Sequence, residues 1–188
     1  MSSQRKTLLT PEEYLAFERK SEIKHEYFGG EVFAMVGAGR RHNLINANLI
    51  RVLGNQLLSR PCNVYPSDMR VKVSATGKYT YPDVSVACDE EKFDDAEKDT
   101  LLNPVVVIEV LSESTEAYDR GKKFEQYQQI ESLTDYLLVA QEPHRVEQYV
   151  RQSKSEWRYS EFHDAGDVVK INVIGCELAL KDVYAKVE

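Results

Sequence analysis

The spacing of apolar residues changes period along the chain, and each change marks a new element. Thr10-Pro11-Glu12-Glu13 carries the signals of a helix start. Thr10 is an N-cap, Pro11 suits the first helical position, and Glu13 closes a capping box, so a helix is predicted to about Lys20. Glu26–Val36 reads as two short strands with Gly29-Gly30 at their turn. Ile45, Leu49, Val52, Leu53 and Leu57 then recur at i, i+4, i+7, i+8 and i+12, the stripe of a core-facing helix from about His42 to Leu58. After Pro61 the period becomes two. Met69, Val71 and Val73 alternate with Arg70, Lys72 and Ser74, predicting a strand with one wet face; Thr76-Gly77-Lys78 is its turn, and Val84–Ala87 is the next strand. Val105–Leu111 is nearly unbroken in β-branched residues and predicts a central strand covered on both faces. A third helix covers about Thr115–Ile130. Asp135–Ala140, Arg145–Arg151 and Trp157–Phe162 form an antiparallel meander turning at Glu142-Pro143-His144 and Ser153–Ser155. Helices, a sheet with a buried centre, a crossover helix and a meander define an α/β (α+β) domain.

Composition sets the bounds. With 188 residues, 42% hydrophobic and 29% charged, the chain is expected to fold as one globular domain, residues 1–188. No apolar run approaches the ~18 residues of a membrane span. MSSQRKTLLT has no signal-peptide core, so the expectation is a cytoplasmic protein without a membrane partner. Cys62, Cys88 and Cys176 are odd in number and lack CxxC spacing, which predicts neither a disulfide framework nor a zinc site and fits a reducing setting. The net charge of −7 argues at first against nucleic acid. Asp89–Asp99, however, holds seven acids and two lysines and reads as a solvated loop or short exposed helix contributing −5 by itself.

Several residues stand out chemically. Pro82-Asp83 precedes an apolar strand, and alone is ordinary turn chemistry. Glu109 interrupts the strand expected to be most buried, where a lone carboxylate costs several kcal/mol. It either sits at a wet strand end or needs a cation, donors or a proton. Asp119, Lys123 and Tyr127, at i, i+4 and i+8, share one stripe on the following helix and could bring a lysine to Glu109. Otherwise they form a surface pair of small worth. Arg40, Arg41 and His42, with Gly37 and Gly39, read as a solvated basic loop or as a phosphate-contacting helix start. His25, His144 and His163 have no partner at metal or triad spacing and read as structural or surface residues.

Pro82-Asp83 followed by Glu109-Val110-Leu111 resembles the PD-(D/E)XK nuclease pattern, with Leu111 where the motif lysine is expected. The longer run Ile108-Glu109-Val110-Leu111-Ser112, Ser114-Thr115, Asp119, Lys123 and Tyr127 is similar to the Uma-type restriction-endonuclease family, as are Gly30-Glu31 and the helix-opening His42. Glu113 departs from the family's common proline. The resemblance implies a restriction endonuclease-like central mixed β-sheet flanked by helices, with the C-terminal antiparallel meander beyond it. It further implies a divalent-metal-dependent DNA endonuclease whose lysine has moved to the following helix, at Lys123 rather than Lys122. Asp83, Glu109 and the Val110 carbonyl would then hold Mg²⁺ (or Mn²⁺), the kind of oxygen donor set that ion takes. Lys123, with a pKa lowered by desolvation, would act on the attacking water. Glu31 would hold the metal through water or orient Lys123, or would simply be a wet strand residue. Arg40, Arg41 and His42 would contact substrate, and Asp119 and Tyr127 would support the site. A homodimer is expected because both DNA strands must be cut, with Tyr149, Trp157 and Tyr159 serving either an interface or a core.

Two other classes fit less of the pattern. A catalytically silent binding module of the same fold needs none of the carboxylates. A carboxylate-pair glycosidase would use Asp83 and Glu109 but gives Lys123 no role. Removing the acidic block and the three candidate carboxylates Glu31, Asp83 and Glu109 leaves the rest of the chain near neutral, at +1. Net charge therefore predicts weak non-specific binding without excluding a nucleic-acid substrate.

Overall fold

The computed structural model describes residues 8–113 and 115–187. Helix α1 (Pro11–Glu18) starts on the expected capping box: Thr10 Oγ1 accepts from Glu13 N at 3.2 Å, and Glu13 Oε2 accepts from Thr10 N at 2.8 Å. Strands β1 (His25–Phe28) and β2 (Glu31–Ala34) pair in antiparallel register, with Gly29 and Gly30 at φ +59° and +87° closing the turn. Left-handed backbone of this kind favours glycine. Helix α2 (Arg40–Leu57) buries Ile45, Leu49, Leu53 and Leu57, and Val52 lies at the margin of that stripe.

Strands β3 (Cys62–Pro66), β4 (Arg70–Val73), β5 (Lys78–Thr80), β6 (Val84–Cys88), β7 (Thr100–Leu101) and β8 (Val106–Val110) follow. A helical segment then runs from α3 (Glu116–Tyr118) through a π-helical stretch, Asp119–Lys123, into α4 (Phe124–Tyr127). The meander is β9 (Asp135–Ala140), β10 (Arg145–Arg151) and β11 (Trp157–Phe162), and the chain closes with β12 (Val168–Ile171), β13 (Cys176–Ala179) and α5 (Leu180–Val183). Two mixed sheets result. The six-stranded sheet runs β11-β10-β9-β8-β6-β3, with only β8 and β9 parallel; the five-stranded sheet runs β2-β1-β5-β4-β7, with only β4 and β7 parallel.

Central strand β8 explains how the site is built. Val106, Ile108 and Val110 face the core formed with α2, β12, β13 and α5. Val107 and Leu111 face a second core formed with β4, β9 and the 116–127 segment. Side chains alternate across a strand, so Glu109 projects into that second layer. The meander aromatics Tyr149 and Trp157 also belong there, packed against Phe124, while Tyr159 lies tilted against Tyr149 and stays half exposed.

Four expectations are corrected. The face of β4 expected to be wet is covered: Arg70 is buried, bonding Thr100 and Tyr81 and pairing with Asp99, and Lys72 pairs with Asp94. The acidic block is therefore tied down at Asp94, Asp95 and Asp99 by Lys72, Arg19 and Arg70. Lys78, expected in a turn, begins β5, and β3, β7, β12 and β13 are further strands that short or interrupted apolar patterns did not mark. Cys62 and Cys88 form a disulfide, because the β3–β6 register sets them directly opposite one another. That register is a tertiary fact which spacing 26 residues apart does not encode, and it withdraws the cysteine argument for a reducing setting. No helix among the described residues is long and apolar enough to cross a membrane.

Candidate active site

Five of the sequence-selected residues meet where β6, β8 and the 116–127 segment converge. The β6–β8 ladder pairs Val84 with Ile108, which sets Asp83, one step outside it, beside the end of β8. Asp83 Oδ2 accepts from Val110 N at 2.8 Å. Glu109, only 3% exposed, is held from the helical side: Lys123 Nζ lies 2.8 Å from its Oε1, and Tyr127 Oη donates to the same oxygen at 2.7 Å. Asp119 Oδ1 lies 3.4 Å from Lys123 Nζ, and the Asp119 backbone carbonyl accepts from Tyr136 Oη. The π-helical stretch, unread in the sequence, contains both Asp119 and Lys123; Lys123 points inward and is buried, whereas Lys122 is exposed.

His42 enters by a different route than expected. As the third residue of α2 it brings Nε2 to 3.2 Å from Asp83 Oδ2, and Asn46 Nδ2, one turn on, reaches Asp83 Oδ1 at 3.4 Å. Arg40 and Arg41 open the same helix, exposed, and Arg41 pairs with Glu142 in the β9–β10 turn.

On the hairpin, the carboxylate that reaches the site is Glu26. Its Oε1 lies 3.9 Å from Lys123 Nζ and accepts from Thr80 Oγ1, while its Oε2 lies 3.2 Å from Lys78 Nζ. Glu31 pairs with Phe28 next to the turn, two positions further out than the Glu26–Phe33 pair. Directly opposed residues share a face, so Glu31 stands on the right face but in the row nearer the turn. Sequence reasoning missed Glu26, Lys78, Thr80 and Asn46. For Glu26 a signal existed: a hairpin with acids at both 26 and 31 has two candidates, and only the register separates them.

Four acids (Glu26, Asp83, Glu109, Asp119) thus share two lysines (Lys78, Lys123). Burial, reinforced by Asp83 and Asp119 against the pull of Lys123, pushes the Glu109 carboxyl up to about 8. Burial also raises Asp119. Glu26 ends below its ordinary value, because Lys123, Lys78 and Thr80 overcome its burial. Burial alone would lower Lys123, but Glu109, Glu26 and Asp119 together outweigh it and hold the ammonium well above its usual range. The expectation of a lysine with lowered pKa is therefore reversed; Lys123 is a fixed cation.

An acidic residue before one strand, an acid within its neighbour and a lysine reaching the second acid from the next helix are the pattern of a restriction endonuclease-like protein. Comparison with known proteins agrees. Residues 11–181 match the model of the family described as "Uma2: Putative restriction endonuclease". Two proteins of Synechocystis sp., both named only as uncharacterized, are 38% and 36% identical, over 94% and 82% of this chain and 91% and 87% of their own length. A crystal structure from Anabaena variabilis, titled a putative nuclease belonging to DUF820, superposes with a TM-score of 0.76 at 19% identity, covering 96% of this chain and 99% of that one. The chain belongs to the Uma2 family.

Proposed function

We propose that this protein is a divalent-metal-dependent endonuclease that hydrolyses phosphodiester bonds in DNA. The observation that carries the reading is the convergence of Asp83, Glu109 and Lys123, with the Lys123 ammonium 2.8 Å from the Glu109 carboxylate.

The donor chemistry fits a hard divalent ion. The cluster brings four carboxyl groups to two lysines, and Asn46 Oδ1 and His42 Nδ1, on the two side chains that hold Asp83, are buried without a hydrogen-bond partner among the described residues. Among the described residues no group of three or more His, Cys, Asp and Glu side chains is arranged as a metal cage. Mg²⁺ suits such a site because it takes one or two carboxylates and keeps several waters. Asp83 and Glu109, with the Val110 carbonyl, are the residues we assign to hold it. When bound, it would neutralise the phosphate and acidify a water.

The chain's own residues then have distinct tasks. His42, Asn46 and the Val110 N–H hold Asp83 in place. Tyr127 and Lys123 fix Glu109 through one oxygen. Lys123 stays protonated and sets a positive charge beside Glu109, where it would stabilise the charge that develops on the phosphate; water gives up a proton to solvent as it forms the new P–O bond, and the P–O bond to the leaving oxygen breaks as that alkoxide takes a proton from solvent. Arg40 and Arg41, at the start of α2, line the approach for the phosphate backbone.

A cleavage panel of supercoiled, linear and single-stranded DNA with Mg²⁺, Mn²⁺ or EDTA tests the proposal. Cleavage should require the metal and fall at least a hundredfold in Lys123→Ala. Absence of metal-dependent cleavage in every substrate, or equal activity in the variant, overturns it. Binding without cleavage would favour the silent module instead.

A further inference from the structure

The asparagines in the first half of α2 differ in how their amides are used. Asn43 Nδ2 donates to the Ala38 and Gly39 carbonyls at the helix start. Asn48 Nδ2 donates to the Val183 and Ala185 carbonyls, and its Oδ1 accepts from Arg51. Asn46 is the exception. Ile45 and Leu49 draw this part of α2 into the core, and Asn46 lies half-buried at the margin of their stripe. Its Nδ2 lies 3.4 Å from Asp83 Oδ1, but its Oδ1 is buried with no hydrogen-bond partner among the described residues. Asp83 fixes which way this amide points. Turned over, it would set its oxygen against a carboxylate oxygen, acceptor against acceptor. The unused atom is therefore an acceptor, and a buried acceptor without a donor is both costly and rare.

His42 stands one turn earlier on the same face and repeats the feature. Its Nε2 lies 3.2 Å from Asp83 Oδ2, and its Nδ1 is buried without a partner among the described residues. In the neutral ring that donates from Nε2, Nδ1 is an acceptor too. Asp83 itself is used unevenly. Its Oδ2 takes the Val110 N–H at 2.8 Å as well as His42, whereas its Oδ1 has the longer contact with Asn46. Oδ1 is thus the oxygen left for a cation, and the Asn46 amide is the group beside it. Mg²⁺ bound by one or two carboxylates keeps several of its waters. A water whose lone pair is on the cation presents its hydrogens, and those need acceptors. Lys123, held at Glu109, carries donors alone and cannot supply one.

Resting on the metal-dependent reading, we propose that Asn46 is a positioning residue of the metal site. Its Nδ2 holds Asp83, and its Oδ1 accepts a hydrogen bond from a water on the cation that Asp83 binds. The amide thereby sets how that water is turned beside the Asp83 carboxylate. Outer partners of this kind orient a metal's ligands and are felt in its affinity.

The test compares full-length wild type with Asn46→Leu, Asn46→Asp and Asp83→Ala, by calorimetric titration with Mn²⁺ and by thermal unfolding in EDTA. Wild type should bind Mn²⁺, and Asp83→Ala should not. Asn46→Leu, which keeps the size of the side chain, should weaken binding by about tenfold or more. Asn46→Asp keeps an acceptor and should bind at least as tightly as wild type. Aspartate has no N–H with which to hold Asp83, so retained binding there assigns the effect to the acceptor. Waters on bound Mn²⁺, counted by EPR line broadening in oxygen-17-enriched water, should be equal in number in wild type and both Asn46 variants. An extra water in Asn46→Leu would make Asn46 a direct ligand and overturn the outer position. Equal weakening in Asn46→Leu and Asn46→Asp would reduce the amide to a support for Asp83, and overturns the proposal. So does unchanged affinity in Asn46→Leu, whatever its unfolding temperature. Wild type that binds no Mn²⁺ refutes the metal-dependent reading and this one together. Binding that is lost in Asp83→Ala but indifferent to Asn46 refutes this one alone.

Discussion

Replacing Lys123 with methionine keeps the length of the side chain and removes the charge that holds the cluster together. Lys123 Nζ lies 2.8, 3.4 and 3.9 Å from Glu109, Asp119 and Glu26. Removing one partner of a buried ion pair costs about 3–5 kcal/mol, because the stranded charge stays desolvated. Two features reduce that cost. Glu26 keeps Lys78 at 3.2 Å, and Glu109, already pushed up to about 8, accepts a proton readily. We expect Lys123→Met to lose about 2–4 kcal/mol at pH 8, a fall in Tm of about 5–15 °C for a chain of this size. The pH dependence has a definite sign. Without the lysine, the folded-state pKa values of Glu109 and Asp119 rise further above those of the unfolded chain, so folding takes up protons. Stability then falls as pH rises. The gap between wild type and variant should widen as pH rises through about 8, where Glu109 gives up its proton in the wild type and keeps it in the variant. Thermal denaturation in EDTA from pH 6 to 9.5 measures it. A gap that is constant with pH, or a variant as stable as wild type at pH 8, would refute the shared-lysine account. The same series finds a pH at which the variant is well folded, so that any loss of cleavage there is chemical.

Further predictions address neighbouring parts of the molecule. Tyr127→Phe removes a buried donor from Glu109 but leaves Lys123; it should cost about 1–2 kcal/mol in denaturant unfolding, and an unchanged midpoint would mean that the phenol contributes nothing. Asp99 is held well below the usual carboxylate range, first by its bond to Arg19 and then, against some burial, by Arg70. Its contribution is thus present above the ordinary aspartate pKa and lost as pH falls through the lowered value. Asp99→Asn should lower stability at neutral pH and flatten the acid limb of the Tm profile, and an identical acid limb counts against the assignment. Thiol titration of the denatured protein should find one group, Cys176, before reduction and three after; three at the outset would show Cys62 and Cys88 to be unpaired.

Local signals carried much of the fold. The capping box, the α2 stripe, the continuous apolar run of β8 and the turn-bounded strands of the meander each specify an element within a few residues, and the structure places all of them. Strands β3, β5, β7, β12 and β13 lie in short or polar stretches whose strand character comes from pairing. Arg70 and Lys72 show the same limit, since alternation predicts that they face water and only the packing of α1 and the acidic segment reveals that they do not. In the site, Glu109 stands out because charge in a buried strand demands a partner, and the Asp119–Lys123–Tyr127 stripe on the next helix offers one; Asp83 comes only with the resemblance to the PD-(D/E)XK pattern. Glu26 and Lys78 escaped because they come from the other sheet. No spacing rule relates residue 26 to residue 123, and the hairpin register alone distinguishes Glu26 from Glu31.

That second sheet changes what the site is. An acid pair at the ends of β6 and β8, with one lysine from the helix, would be a shallow arrangement with one face open. Sheet β2-β1-β5-β4-β7 packs over the 116–127 segment and adds Glu26 and Lys78 beneath Lys123, so the lysine is buried and cannot turn away towards solvent. Immobilising Lys123 has an electrostatic cost. Burial, with Asp83 and Asp119 nearby and against the pull of Lys123, leaves Glu109 poised to hold a proton near neutral pH, in competition with any cation that binds there. Metal affinity should therefore rise steeply between pH 6 and 8 in the wild type, because each binding event must displace that proton. Calorimetry with Mn²⁺ in buffers of differing ionisation enthalpy counts it directly. A flat affinity over that range would mean that Glu109 binds metal already ionised, or not at all.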